Sequence, residues 1–183
     1  MKRGAVMKGS FFAADYYRMT EKTDFRTLPV DLLLRHNVRW AYYYRKLQAG
    51  KNWPRLFLYR LSRKFGIEVS PTAQIGRGIY LGHPYNITIG TNVVIGDNVN
   101  LHKGCTIGNI MAGKRAGSPR IGNCVSIGIN ASVVGGINIG DDVMIAPNAF
   151  VNFDVPSHSV VVGNPGQIHP KENATEFYVL NRV

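Results

Sequence analysis

The chain carries 22 Lys and Arg against 11 Asp and Glu over 183 residues, a formal net charge of +11, with 45% hydrophobic residues. That length suffices for one packed domain and an appendage, and no apolar run reaches the roughly 20 residues that cross a bilayer. With no leader pattern at its start and only Cys105 and Cys124 as thiols, the expectation is a cytoplasmic protein without a disulfide framework or a cysteine-bound metal.

The excess charge is confined to the first third. Residues 1–66 hold 15 Lys and Arg against 4 Asp and Glu, whereas residues 67–183 hold 7 of each. A boundary near Gly66 therefore separates a basic segment, 1–66, from an electrically balanced remainder. Within the segment Leu33, Val38, Ala41, Tyr42 and Leu47 recur at about 3.6-residue spacing behind Pro29, and Trp53, Leu56, Leu58 and Leu61 form a shorter stripe opened by Pro54. Two or three helices are predicted. Their Arg and Lys residues alternate with aromatics from Trp40 to Tyr59. Either the aromatics pack on the rest of the protein while the charges are solvated, or the segment makes a peripheral contact with the inner face of an anionic membrane. No recognition motif accompanies the charge, so nucleic acid is not expected as a partner.

From Val69 to Val155 an aliphatic residue returns every sixth position: Val69, Ile75, Leu81, Ile89, Ile95, Leu101, Ile107, Ile121, Ile127, Val133, Ile139, Ile145 and Val151. The fifth position of each hexapeptide is small or β-branched, from Ala73 to Val155, and glycine often follows the aliphatic residue, as a corner with unusual backbone angles would require. A period of six is neither helical nor that of an ordinary strand; it predicts a coil of short strands. The register slips twice. Two extra residues fall within LGHPYNIT, which contains His83, and eight fall within GNIMAGKRAGSPR. Insertions in a solenoid project as loops, often on the functional face.

These hexapeptides resemble the left-handed parallel β-helix of the hexapeptide-repeat acyltransferases. The resemblance implies a mainly β domain of four to five coils over residues 67–166, a short α-helical segment before it and a tail of residues 167–183. Within that family the stretch from Ile67 to Gly166 is most similar to the serine acetyltransferase branch. The stretch IGRGIYLGHPYNITIG puts His83 on the family's catalytic histidine, and Glu68 stands fifteen residues upstream where the relatives have Asp. Transfer of an acetyl group from a thioester to an alcohol needs a base at the hydroxyl, and a neutral imidazole is available near pH 7. The resemblance implies acetyl-CoA as co-substrate, held along a groove at Gly108, Asn109, Ile129, Asn130, Ala146, Pro147, Gly163, Asn164 and Pro165. It also implies a homotrimer with the cleft between neighbours, and no metal.

Two departures bear on substrate choice. The stretch GNPG is similar to the family's Gly-x-Pro-Ala, but Gln167 replaces the Arg or Lys that follows, so Lys114 and Arg115 of the larger insertion are candidates for the coenzyme A phosphates. In AGSP, Ser118 occupies the place of a histidine that helps serine acetyltransferases hold the amino acid, and the segment before the coil is short for that branch. Losing a polar partner for a zwitterion is costly. The expected acceptor is accordingly a hydroxyl of a sugar or cell-envelope glycan precursor, with Ser118 and His102 near it. The alternatives are serine O-acetylation for cysteine synthesis and a non-catalytic β-helix scaffold of a membrane-associated assembly.

Overall fold

The computed structural model describes residues 10–183, so the first nine residues of the basic segment lie outside the described residues. Four helices come first: α1 (Phe11–Thr20), α2 (Leu28–Leu34), α3 (His36–Gln48) and α4 (Pro54–Phe65). The predicted long helix behind Pro29 is two helices. Arg35 takes an extended conformation (φ −109°, ψ 103°) and breaks the chain between α2 and α3. Of the stripe residues, Leu33, Trp53 and Leu56 are exposed. The end of α4 is marked by Gly66, whose φ of 68° and contact with Asn86 leave no room for a side chain. Among the described residues, no helix is long and apolar enough to cross a membrane.

The rest is a parallel β-helix of five coils. The first holds β1 (Glu68–Val69), β2 (Gln74–Ile75) and β3 (Tyr80–Gly82), and the second β4 (Thr88–Ile89), β5 (Val94–Ile95) and β6 (Asn100–His102). The third holds β7 (Thr106–Gly108), β8 (Arg120–Ile121) and β9 (Ser126–Ile127), and the fourth β10 (Ser132–Val134), β11 (Asn138–Ile139) and β12 (Val143–Ile145). The fifth holds β13 (Phe150–Val151) and β14 (Ser159–Val162), after which β15 (Gln167–Pro170) turns back antiparallel along β14. Three parallel sheets form the faces, β1-β4-β7-β10-β13, β2-β5-β8-β11 and β3-β6-β9-β12-β14.

The six-residue period becomes three stacks of aliphatic side chains. Val69, Ile89, Ile107, Val133 and Val151 lie in register on the first face. Ile75, Ile95, Ile121 and Ile139 do so on the second, and Val155 extends that stack through a parallel bridge to Ile139. Leu81, Leu101, Ile127, Ile145 and Val161 form the third. Nearly all are under 4% exposed, and each such burial contributes roughly 1.5–3 kcal/mol.

The glycines after these residues serve a different purpose from the one the period suggested. The left-handed corners are taken by Asn92, Asn98, Gly104, Cys124, Asn130, Asp142 and Asn148, two residues further on, where Asn and Asp tolerate positive φ. Gly76, Gly96, Gly122, Gly128 and Gly140 have no positive φ; a Cβ on Gly96 would lie 2.7 Å from the Gly122 carbonyl oxygen, and one on Gly128 2.6 Å from the Pro147 nitrogen. Close approach of one coil to the next excludes a side chain there.

The helices cover the open end of the first coil. Tyr16, Trp40 and Tyr44 are fully buried, and the Tyr44 hydroxyl donates to the Ala73 carbonyl (2.8 Å). Arg45 pairs with the fully buried Asp15 at 2.7 Å and donates to the Ile75 and Gly76 carbonyls, while the Ile79 N–H donates to Asp15. These bonds satisfy backbone groups that an uncovered coil edge would leave without partners.

Candidate active site

One edge of the β-helix, where the third face turns into the first, collects most of the predicted site. Backbone hydrogen bonds stack its corners: Lys103 N–H to Gly82 O (3.1 Å), Gly104 N–H to Tyr85 O (2.8 Å), Asn130 N–H to Lys103 O (3.0 Å), Asn148 N–H to Ile129 O (2.8 Å) and Phe150 N–H to Gly163 O (3.0 Å). His83 and His102 lie low in this column. Ile129, Asn130, Ala146, Pro147, Gly163, Asn164 and Pro165 lie above them, a continuous run over five coils.

His83 is exposed and sits in the two-residue insertion, in the left-handed region (φ 48°). A non-glycine residue held there immediately before Pro84 is conformationally costly. The insertion is braced from outside the coil. His36, at the start of α3, hydrogen-bonds the Pro84 carbonyl through Nε2 (3.1 Å) and stacks on Phe65 at 4.1 Å, with Tyr85 edge-on at 5.0 Å. Burial, with further contributions from Arg39 and Lys64, holds the His36 pKa below its ordinary value. No local signal in the sequence marks His36 for this role, because the contact spans 48 residues and arises only when α3 docks.

His102 stands one coil above His83. Its half-buried ring overlies Gly82, where a Cβ would lie 2.5 Å from Nδ1. Burial first, and then the neighbouring His83, lower the His102 pKa below its ordinary value. Glu68 opens β1 on the first face and lies with Arg55, Tyr59 and Ser62 of α4 along a groove of about 420 Å³. Among the described residues, no hydrogen bond or ion pair joins Glu68 to His83.

The remaining predicted residues lie on another edge, where the first face turns into the second. Gly108 ends β7, Asn109 follows it, and the eight-residue insertion closes on itself through paired bonds between Ile110 and Gly117 (3.0 and 2.8 Å). Lys114 and Arg115 are exposed at its tip, and the Arg115 carbonyl accepts from Gly136 (2.9 Å). Ser118 donates to the Thr91 carbonyl (2.7 Å). One chain therefore does not bring this group to the His83 column. Of the other histidines, His158 bonds Asp142 at 2.9 Å and braces the C-terminal tail. No group of three or more His, Cys, Asp or Glu able to hold a metal occurs among the described residues. Both cysteines are free, and burial pushes the Cys105 thiol up to about 12.

No family model matches the chain. Among curated proteins, serine acetyltransferase 4 of Arabidopsis thaliana is 42% identical over 111 residues, which is 60% of this chain and 31% of that protein. Serine acetyltransferase of Helicobacter pylori is 40% identical over 107 residues, 58% of this chain and 63% of that protein, so the chain spans from a third to under two thirds of these relatives. Among solved structures, serine acetyltransferase of Neisseria gonorrhoeae in complex with serine aligns with a TM-score of 0.69 at 30% identity, covering 87% of this chain and 67% of that one. These findings overturn the expected sugar or glycan acceptor: the similar proteins are serine acetyltransferases, the reading first ranked as the alternative. Ser118 is one loop residue, bonded to the Thr91 carbonyl, whereas the similarity covers 58–60% of the chain in sequence and 87% of it in fold. The chain belongs to the hexapeptide-repeat, left-handed β-helix acyltransferase family, in its serine acetyltransferase-like branch.

Proposed function

We propose that this protein is an acetyl-CoA-dependent serine O-acetyltransferase. The observation that carries the reading is the column in which exposed His83, held at a braced corner, underlies the stacked corners that the family resemblance assigns to coenzyme A. His83 takes the proton from the serine hydroxyl, the oxygen attacks the thioester carbonyl, and the carbon–sulfur bond breaks to release coenzyme A, whose thiolate recovers the proton from the imidazolium. The oxyanion needs a backbone donor. The Ile110 N–H, one candidate, is already given to Gly117, which favours the neighbouring Asn109 N–H. Glu68, fifteen residues before His83, is the proposed positioning residue for the ring, a role that requires its carboxylate to leave the α4 groove and turn toward His83.

A homotrimer completes the site. In a single chain the loop with Lys114 and Arg115 is on a different edge from His83, and a neighbour packed with its loop-bearing edge against the column would bring both to one cleft.

The test supplies acetyl-CoA with millimolar L-serine and follows free thiol and O-acetylserine. We expect turnover that His83→Ala lowers by at least ~10²-fold and Glu68→Gln by less. No product from L-serine overturns the proposed acceptor, a near-normal rate for His83→Ala removes the proposed base, and an unchanged Glu68→Gln rate assigns ring orientation to another group.

A further inference from the structure

Between Leu32 and Ile67 the chain has nine Lys and Arg and no Asp or Glu. Only Arg35 and Arg45 of these nine form ion pairs among the described residues, with Asp31 and Asp15. The remaining seven form no ion pair among the described residues, and Glu68, in the groove beside Arg55, is a carboxylate next to α4.

On α4 this charge shares a face with apolar surface. Pro54, Leu58 and Leu61 turn toward the protein, while the opposite side presents Leu56, Tyr59, Arg60 and Arg63, with Trp53 at its start. Trp53, Leu56 and Tyr59 are 51%, 54% and 57% exposed. A helix usually hides such residues, and leaving them in water forfeits the burial that would otherwise stabilise the fold. The N-terminal half of the face is aromatic and aliphatic, and the C-terminal half is cationic. A second apolar group, Val30, Leu33 and Leu34, is exposed on α2, and the His36–Phe65 stack links the following helix to the end of α4.

We propose that the α4 face is a docking surface for an anionic lipid bilayer, with Trp53, Leu56 and Tyr59 entering the headgroup boundary and Arg60, Arg63 and Lys64 engaging lipid phosphates. Charge complementarity selects this occupant. A second copy of the chain in a two-fold arrangement sets Arg60, Arg63 and Lys64 against the same cations, with Glu68 as one carboxylate against several positive charges. A nucleic acid satisfies the charge but leaves Leu56 and Trp53 in water. An anionic membrane surface satisfies both, since cations attract its headgroups and aromatic and aliphatic side chains favour its interface. The inference does not depend on the acetyl acceptor.

The test is co-flotation of the full chain with vesicles of phosphatidylcholine alone or with 30% phosphatidylglycerol, at low and high salt. We expect binding only to the anionic vesicles, lost at high salt. Arg60→Gln with Arg63→Gln should weaken partitioning roughly 25-fold, about fivefold per cation near such a surface. Trp53→Ser with Leu56→Ser should also weaken it, with circular dichroism and acetyl transfer in free solution unchanged. Failure of the wild-type chain to float with anionic vesicles overturns the proposal. So does unchanged flotation of both double variants when their circular dichroism is native. Self-association in light scattering that the Trp53→Ser/Leu56→Ser variant abolishes assigns the face to a second copy instead. Retention of a single-stranded oligonucleotide without vesicle binding assigns it to nucleic acid.

Discussion

Asp142 occupies a left-handed corner of the fourth coil (φ 54°) and is buried there. It accepts hydrogen bonds from Ala174 N–H (3.0 Å), Thr175 N–H (2.9 Å), Thr175 Oγ1 (2.7 Å) and His158 Nδ1 (2.9 Å). Burial alone would raise its pKa, but the bonds from Thr175, His158 and Ala174 outweigh it and hold the carboxyl at about 2. A folded pKa below the unfolded value of 3.8 means that this stability is present above that value and is lost as pH falls through about 2. The sign is opposite for exposed His158, whose pKa is raised first by its bond to Asp142; its contribution is complete below the ordinary histidine value and fades as pH rises through the raised one. Asp142→Asn should cost about 2 kcal/mol at pH 7, lowering Tm by roughly 4–8 °C, and the wild-type advantage should vanish when the melts are repeated near pH 2. An equal deficit at both pH values would make the loss one of packing. Position 142 reads in the sequence as one more corner residue. Its partners lie 32 and 33 residues away, in a segment outside the period, and nothing local announces them.

At the scale of elements, Arg45 ties the helices to the first coil. Its guanidinium is 6% exposed and is shared between Asp15 and two carbonyls of the first coil, Ile75 and Gly76. Burial pushes the Asp15 pKa up despite the opposing pull of Arg45, so the carboxylate relies on its partner to stay charged. Arg45→Ala leaves a buried carboxylate unpaired and two coil carbonyls without donors, and should cost roughly 3–5 kcal/mol in denaturant unfolding. Arg45→Met combined with Asp15→Leu should recover much of that loss. If the double variant is no more stable than Arg45→Ala, the carbonyl bonds rather than the ion pair hold the helices down. The helical stripe predicted that α3 and α4 exist, because a 3.6-residue repeat needs no tertiary information. It did not show that Leu33, Trp53 and Leu56 face outward, because spacing shows which residues share a face but not which face meets the coil. His36 belongs with them: its grip on Pro84 exists only once α3 lies against the insertion.

For the whole molecule, the three aliphatic stacks explain both the legible and the illegible parts of the site. Each hexapeptide supplies one wall of a coil, so the register of the sequence maps directly onto the three faces, whereas the choice of His83 and the corners up to Pro165 as site residues comes from the family resemblance. The two edges that hold the predicted residues are a full face apart, and in the proposed homotrimer a neighbouring chain would join them. Co-expressing His83→Ala chains with Lys114→Ala/Arg115→Ala chains tests this at subsaturating acetyl-CoA. Random mixed trimers should recover roughly a quarter of wild-type activity if each cleft takes its base from one chain and its loop from the next. Recovery no greater than the sum of the parent variants would put the whole site within one chain.

The amino-acid order settles the architecture, because a period of six aliphatic residues interrupted by asparagine, aspartate or glycine corners has one way to bury itself, and its two slips mark where the chain must leave the coil. What it leaves open depends on contacts between segments far apart along the chain: the close approach of coils that requires Gly76 and its counterparts, the bracing of the His83 corner by His36, and the side of α4 left facing outward. Those are matters of docking. Their energies come from partners that no spacing in the sequence names, and they appear only when helices, coil and tail occupy one volume.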